Sequence, residues 1–287
     1  MGPMRALAVA VLTAALACGG ASPPAAAPKP IALSALEKPL TIPPLPGYVD
    51  ALAELDRRAE GDAEAAWIRT HFLLDLFDDA RFRGSDESLT QLADVLELEP
   101  RRGPKATDEF LEALLVEVDR VLSRERLHPG ANAARVLLEG DRRPPGVEGF
   151  GKWATTLRRL AEQDGVAADS ALIRLAASCE QAFRDAAAGA PQLSWSRVSF
   201  CMWTLHGEDP SSYAGHQPIP PWQSLGAATL EQYRIVADGN GRLRKAASAR
   251  RAILPTWLER SRRRLPTVPD ISTAPRVDRA LPFDWTP

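Results

Sequence analysis

The chain has 287 residues, is 45% hydrophobic and 25% charged, and carries a formal net charge of −2. That length suits one large domain or two small ones with a real core, and the charge balance lacks the basic excess of a nucleic-acid binder, so no nucleic-acid partner is expected. The charge is unevenly placed: residues 50–140 hold 21 acidic against 12 basic side chains and residues 141–287 hold 15 against 20, so the two halves attract each other.

Arg5 lies in a short charged start, Ala6 to Ala17 form an apolar run, and Cys18 is followed by Gly19 and Gly20. A basic start, an apolar core and small residues before a cut site make the pattern of a secretory signal peptide. The run would span roughly 18 Å as a helix, well short of the roughly 30 Å hydrocarbon core of a bilayer, so it is not expected to remain as a membrane span. Ala15-Leu16-Ala17-Cys18 resembles the lipobox of bacterial lipoproteins. The resemblance implies removal of residues 1–17, a diacylglycerol on the Cys18 sulfur and a membrane partner reached through that anchor. More than one acyl chain gives stable attachment where one is marginal. An aspartate after the cysteine often retains such proteins at the inner membrane; Gly19 stands there instead, which implies the outer membrane, facing the periplasm.

Residues 18–47 are rich in Pro, Ala and Ser and read as a disordered tether, with Leu40, Ile42 and Leu45 able to lie against the body. The period then changes to 3.6. Tyr48, Leu52, Leu55 and Ala59 form one stripe, stopped at Gly61, and Asp62 is placed as the N-cap of a second helix over roughly 63–80. Trp67, Ile68, Phe72, Leu73, Leu76 and Phe77 make that helix apolar nearly all round, so it should be central. Ser85 caps a third helix ended by Pro100. Thr107 caps a fourth, with Leu111, Leu114, Val118 and Leu122 on one stripe up to His128-Pro129-Gly130. A fifth, short helix runs from Ala131 to Gly140. Residues 141–146, with Pro144 and Pro145, are the best internal boundary and coincide with the change in charge sign.

Beyond it, Phe150, Trp153, Leu157 and Leu160 predict a sixth helix. Asp169 caps a seventh, with Leu172, Ala176, Cys179 and Phe183 on one face, and an eighth follows with Val198, Cys201, Met202 and Leu205. Residues 225–237 read either as a helix or, with Tyr233-Arg-Ile-Val before Asp-Gly-Asn-Gly, as one arm of a hairpin. An arginine-rich helix then runs to about Arg264, with Pro255 a possible kink. Residues 266–287 hold five prolines and an apolar set, and should lie along the helices. The fold class is therefore all-α: stacked helical hairpins over 48–265, solenoid-like or a compact bundle. Successive hairpins resemble tetratricopeptide-like solenoids in architecture alone, because no window supplies that family's Trp, Leu-Gly and Tyr offsets.

The usual catalytic and cofactor motifs are missing, and no small-molecule cofactor is expected. His71, in the most apolar helix, reads as a core or interface histidine, and His128 as a helix C-terminal residue favouring the dipole. His206, Glu208, Asp209 and His216 lie close in sequence, enclosed by Trp203, Tyr213 and Trp222. Two imidazoles and two carboxylates suit zinc or acid–base hydrolysis, but the spacing fits no metal motif, so an exposed loop without metal is the expectation. Trp203, Tyr213, His216 and Trp222, with Arg250 and Arg251 of the arginine helix, are the partner-contact candidates. Cys179 and Cys201 are equidistant from Ala190 at the proposed turn, and in an oxidising compartment they should form a disulfide. The functional expectation is a lipid-anchored scaffold that binds an envelope protein without catalysis. The alternative is an envelope hydrolase of cell-wall material using His206, Glu208 and Asp209.

Overall fold

A computed structural model describes residues 30–142, 147–163, 168–188 and 222–264. All regular structure among them is helical, so the fold class is all-α. The helices are α1 Leu33–Glu37, α2 Tyr48–Arg58, α3 Ala63–Phe82, α4 Asp86–Leu96, α5 Pro104–Leu122, α6 Pro129–Arg142, α7 Val147–Ala161, α8 Ala168–Ala188, α9 Trp222–Asp238 and α10 Arg244–Arg264. Their ends follow local chemistry. The Asp62 carboxylate accepts from the N–H groups of Glu64 and Ala65, and the Ser85 hydroxyl accepts from that of Ser88. Helix α5 starts one turn before the expected Thr107, because Pro104 brings a pre-set φ to the first turn and Gly103 (φ +120°) supplies a junction that L side chains rarely adopt. The Thr107 hydroxyl instead donates to the Gly103 carbonyl at 3.0 Å. Residues 225–237 lie within α9, which decides the hairpin question in favour of a helix. Pro255 is accommodated inside α10.

Helix α3 is the axis of the fold. Sixteen of its twenty residues are buried, and it packs against α2, α4, α5, α8 and α10. Phe72, Leu73 and Leu76 are fully buried, each worth roughly 1.5–3 kcal/mol by loss of water-exposed apolar area. A second hub, α8, packs on α3, α7, α9 and α10. A solenoid repeat touches only its sequence neighbours, whereas α10 reaches back across the chain to α3. The described helices thus form a compact bundle. The apolar interior divides into two cores, one built from residues 36–138 and one from Phe82, Leu137 and residues 154–254. Their division falls near the expected boundary at 141–146, but Phe82 and Leu137 cross it, and Asp141 is buried between the halves.

The packed unit begins at Ala32, so this end of residues 18–47 lies against the body, as the sequence allows for Leu40 and Ile42. Leu36, Leu40 and Ile42 are buried in the first core, while Leu45 is exposed. An apolar side chain at every second to fourth position gives this Pro-containing strap enough area to offset the entropy of ordering it.

Helix α6 holds an indole at each end. An alanine Cβ at Gly130 would meet the Trp67 ring at 2.4 Å, and one at Gly140 would meet the Trp153 ring at 2.3 Å. Both glycines lie inside the helix, where glycine costs about 1 kcal/mol against alanine, so their presence reflects packing. Gly130→Ala and Gly140→Ala should each lower the chemical-denaturation free energy by about 1–3 kcal/mol, since a rigid ring must be displaced. Gly61→Ala, with nothing within 4 Å of the added carbon, should be near neutral. Equal effects at all three positions would contradict this account.

Candidate functional site

The polar side chains concentrated by the fold lie along α3. Trp67, His71 and Asp75 recur every four residues and share one face, followed by Asp78 and Asp79 one turn later. The Trp67 and His71 rings stack at 5.6 Å between centroids. Arg242, in the turn before α10, donates to His71 Nδ1 at 2.8 Å, to Asp75 at 3.0 Å and to Glu37 of α1 at 3.2 Å. A guanidinium only donates, so Nδ1 must accept and the His71 proton sits on Nε2. Burial, reinforced by the Arg242 charge, holds the imidazole down to about 3, and burial pushes the Asp75 carboxyl up to about 7. Asp169, at the start of α8, is also raised, first by burial and then by the Asp75 charge.

One turn on, Arg174 of α8 joins the two halves. Its Nη1 donates to Asp78 at 2.8 Å and its Nε to Asp141 at 2.9 Å, with both partners and the guanidinium at most 4% exposed. The Ser170 hydroxyl also donates to Asp78, and Arg81 donates to Asp141 at 2.5 Å. Asp79 accepts from Arg83 at 2.8 Å and from the Ser88 hydroxyl at 2.5 Å, tying α3 to α4. A cavity of about 20 Å³ lies beside the cluster, lined by Trp67, His71, Asp75, Leu137, Ser170 and Arg174, room for about one water.

A second buried set faces the end of α3. Glu180 accepts from the Tyr233 hydroxyl at 2.8 Å and from Arg250 at 3.2 Å. Burial and then the Glu180 charge push the Tyr233 phenol well above its ordinary range, keeping it a neutral donor. Arg250 also donates to the Phe82 carbonyl at 2.6 Å, and Arg102 donates to the carbonyls of Ala80 and Gly84 at 3.2 and 3.0 Å. Two guanidiniums thereby satisfy the orphan carbonyls at the C-terminal end of α3.

Arg250, expected as a surface contact for a partner, is 5% exposed and is instead a structural anchor. The one-residue step to Arg251 turns that side chain outward, to 3.9 Å from Asp238 on the surface. His128 is also corrected: it lies at the start of α6, where its Nδ1 accepts from the Ala131 N–H at 3.1 Å, an N-cap in place of a C-terminal cation. Trp222 opens α9. Cys179 is buried and disulfide-bonded, and Cys201, its expected partner, lies outside the described residues. Cys18, Trp203, His206, Glu208, Asp209, Tyr213 and His216 also lie outside them.

Sequence reasoning missed the ionic cluster. The available signal was the acidic set Asp75, Asp78 and Asp79 inside a helix apolar on every side, since charges in such a helix require buried partners. The partners Arg174 and Arg242 lie too far along the chain to be paired by spacing.

Among the described residues, no three His, Cys, Asp or Glu side chains are grouped to hold a metal ion, and no helix is long and apolar enough to cross a membrane. The chain matches no protein-family model, no curated protein and no solved structure.

Proposed function

We propose that this protein is a lipid-anchored helical scaffold of the bacterial cell envelope whose body docks another envelope protein. One observation carries the reading. The acids and bases concentrated along α3 are neutralised against one another in the interior, around a cavity of about 20 Å³. Small-molecule sites usually enclose roughly 300–1,000 Å³, so this cluster holds helices together and does not receive a substrate. The lipobox-like start at Cys18 supports the anchor, and the exposed Arg251 remains a candidate contact.

Crosslinking in native membranes followed by affinity capture tests the proposal. The expected result is a stable envelope partner, lost from the membrane fraction with the protein when Cys18→Ala is introduced. Failure to recover any partner, together with purified protein that alters cell-wall material, would overturn it in favour of a hydrolase using His206, Glu208 and Asp209.

A further inference from the structure

Helix α10 holds seven arginines and Lys245 against one acid, Glu259, in a chain whose net charge is −2. Part of that excess is met within the protein: Arg250 is held by Glu180 and the Phe82 carbonyl, and Arg251 lies 3.9 Å from Asp238. The first turn differs. Arg244 and Lys245 are exposed and, among the described residues, neither forms an ion pair with a carboxylate. Cations in the first turn of a helix oppose the positive end of its dipole, and no acid stands in that turn to offset them. A local rule broken at two adjacent positions, with no compensation inside the chain, points to an anion met from outside.

The strap at the start of the packed unit adds a third cation. Arg242, just before α10, donates to Glu37 of α1 at 3.2 Å, so the strap meets the body beside this turn. Lys38, the next strap residue, is exposed and likewise has no carboxylate partner among the described residues. The packed unit begins at Ala32, fourteen residues after Cys18, a separation that spans at most about 50 Å when fully extended. An acyl group on Cys18 therefore keeps a bilayer within that reach of the strap, and a weak second contact then acts at high effective concentration.

We propose that Lys38, Arg244 and Lys245 form a docking surface for an anionic phospholipid bilayer, a second membrane contact beside the point where the strap enters the body. The inference rests on the lipid-anchor reading for the presence of the bilayer, whereas the contact itself is electrostatic and needs no acyl chain. Each basic side chain at such a surface is worth about five-fold in partitioning.

Co-sedimentation of residues 19–287 with lipid vesicles tests the surface, since this length holds the whole packed unit and neither the apolar run nor Cys18. Binding is expected to phosphatidylcholine vesicles containing about 30 mol% phosphatidylglycerol and not to phosphatidylcholine alone. It should fall away as salt rises from about 0.05 to 0.5 M. Lys38→Gln, Arg244→Gln and Lys245→Gln together should weaken it about a hundred-fold. Lys105→Gln, Arg126→Gln and Lys152→Gln, which remove the same charge from exposed positions elsewhere, should weaken it less than about five-fold. All six side chains are exposed, so the parent and both triple variants should melt alike. No binding to the anionic vesicles overturns the proposal and leaves this turn to an acidic protein surface. Equal losses in the two triple variants overturn it as well, because net charge and not this surface would then attract the lipid. The assay contains no acyl chain, so either failure is distinct from failure of the anchor, which fractionation of Cys18→Ala reads separately.

Discussion

Replacing Arg174 by methionine is expected to lower the unfolding free energy by about 3–5 kcal/mol, visible as a large drop in the urea midpoint. Its guanidinium is 2% exposed and holds two carboxylates, Asp78 from one side and Asp141 from the other, which are themselves nearly inaccessible. Methionine fills similar volume, so the loss is electrostatic: Asp78 keeps only the Ser170 hydroxyl, and Asp141 keeps Arg81. A buried carboxylate deprived of its cation either remains charged at high cost or takes up a proton. The defect should therefore shrink at acid pH. Arg251→Ala, on an exposed side chain of the neighbouring surface, should change stability by no more than about 0.5 kcal/mol. A loss below about 1 kcal/mol for Arg174→Met would show that the two halves are held by their apolar cores alone.

The second large effect is the dependence of stability on pH carried by His71 and Asp75. As pH falls through 6.5 the unfolded chain protonates His71 while the folded protein does not until about 3, so stability due to this group is lost on acidification. Asp75 acts in the opposite sense. As pH rises through 3.8 the unfolded carboxyl ionises while the folded one holds its proton to about 7, so stability is lost on alkalinisation over that range. Each arm spans more than three pH units and is worth on the order of 4 kcal/mol. The two nearly cancel between about pH 4 and 6.5. Burial is the main cause of both shifts; Arg242, Glu37 and Asp78 modulate that of His71, Arg242, Asp78 and Asp79 modulate that of Asp75, and Asp169 also faces Asp75.

Single variants unmask each arm. Relative to the parent, Asp75→Asn should gain stability steadily from pH 4 to 7, and His71→Gln should lose it from pH 3 to 6.5. Urea midpoints measured across pH 3–8 for the three proteins decide the matter. Parallel profiles would mean that neither group is as buried as its contacts imply.

Local rules carried much of the architecture. The Asp62 and Ser85 caps, the 3.6-residue stripes of α2, α4 and α5, and the central place of α3 were legible because each depends on residues within a turn or two of one another. What spacing alone could not decide has the same root. Pro-rich composition reads residues 18–47 as a tether with Leu40, Ile42 and Leu45 able to lie against the body; Leu40 and Ile42 do and Leu45 does not, a choice that depends on apolar surface presented by helices elsewhere. Arg250 and Arg251 are adjacent and chemically identical, yet one caps α3 from within and the other meets solvent, a difference set by which face of α10 touches Phe82.

The sequence alone determined an all-α chain and its central helix, because helix periodicity and capping are written in neighbouring residues. Only the tertiary structure decided that Asp75 meets Arg242, that Arg174 joins Asp78 to Asp141, and that the guanidiniums of Arg184 and Arg260 approach the Trp257 ring. Charges buried in an apolar helix demand partners, but the demand has no direction along the chain, and only the packing of distant helices supplies the answer.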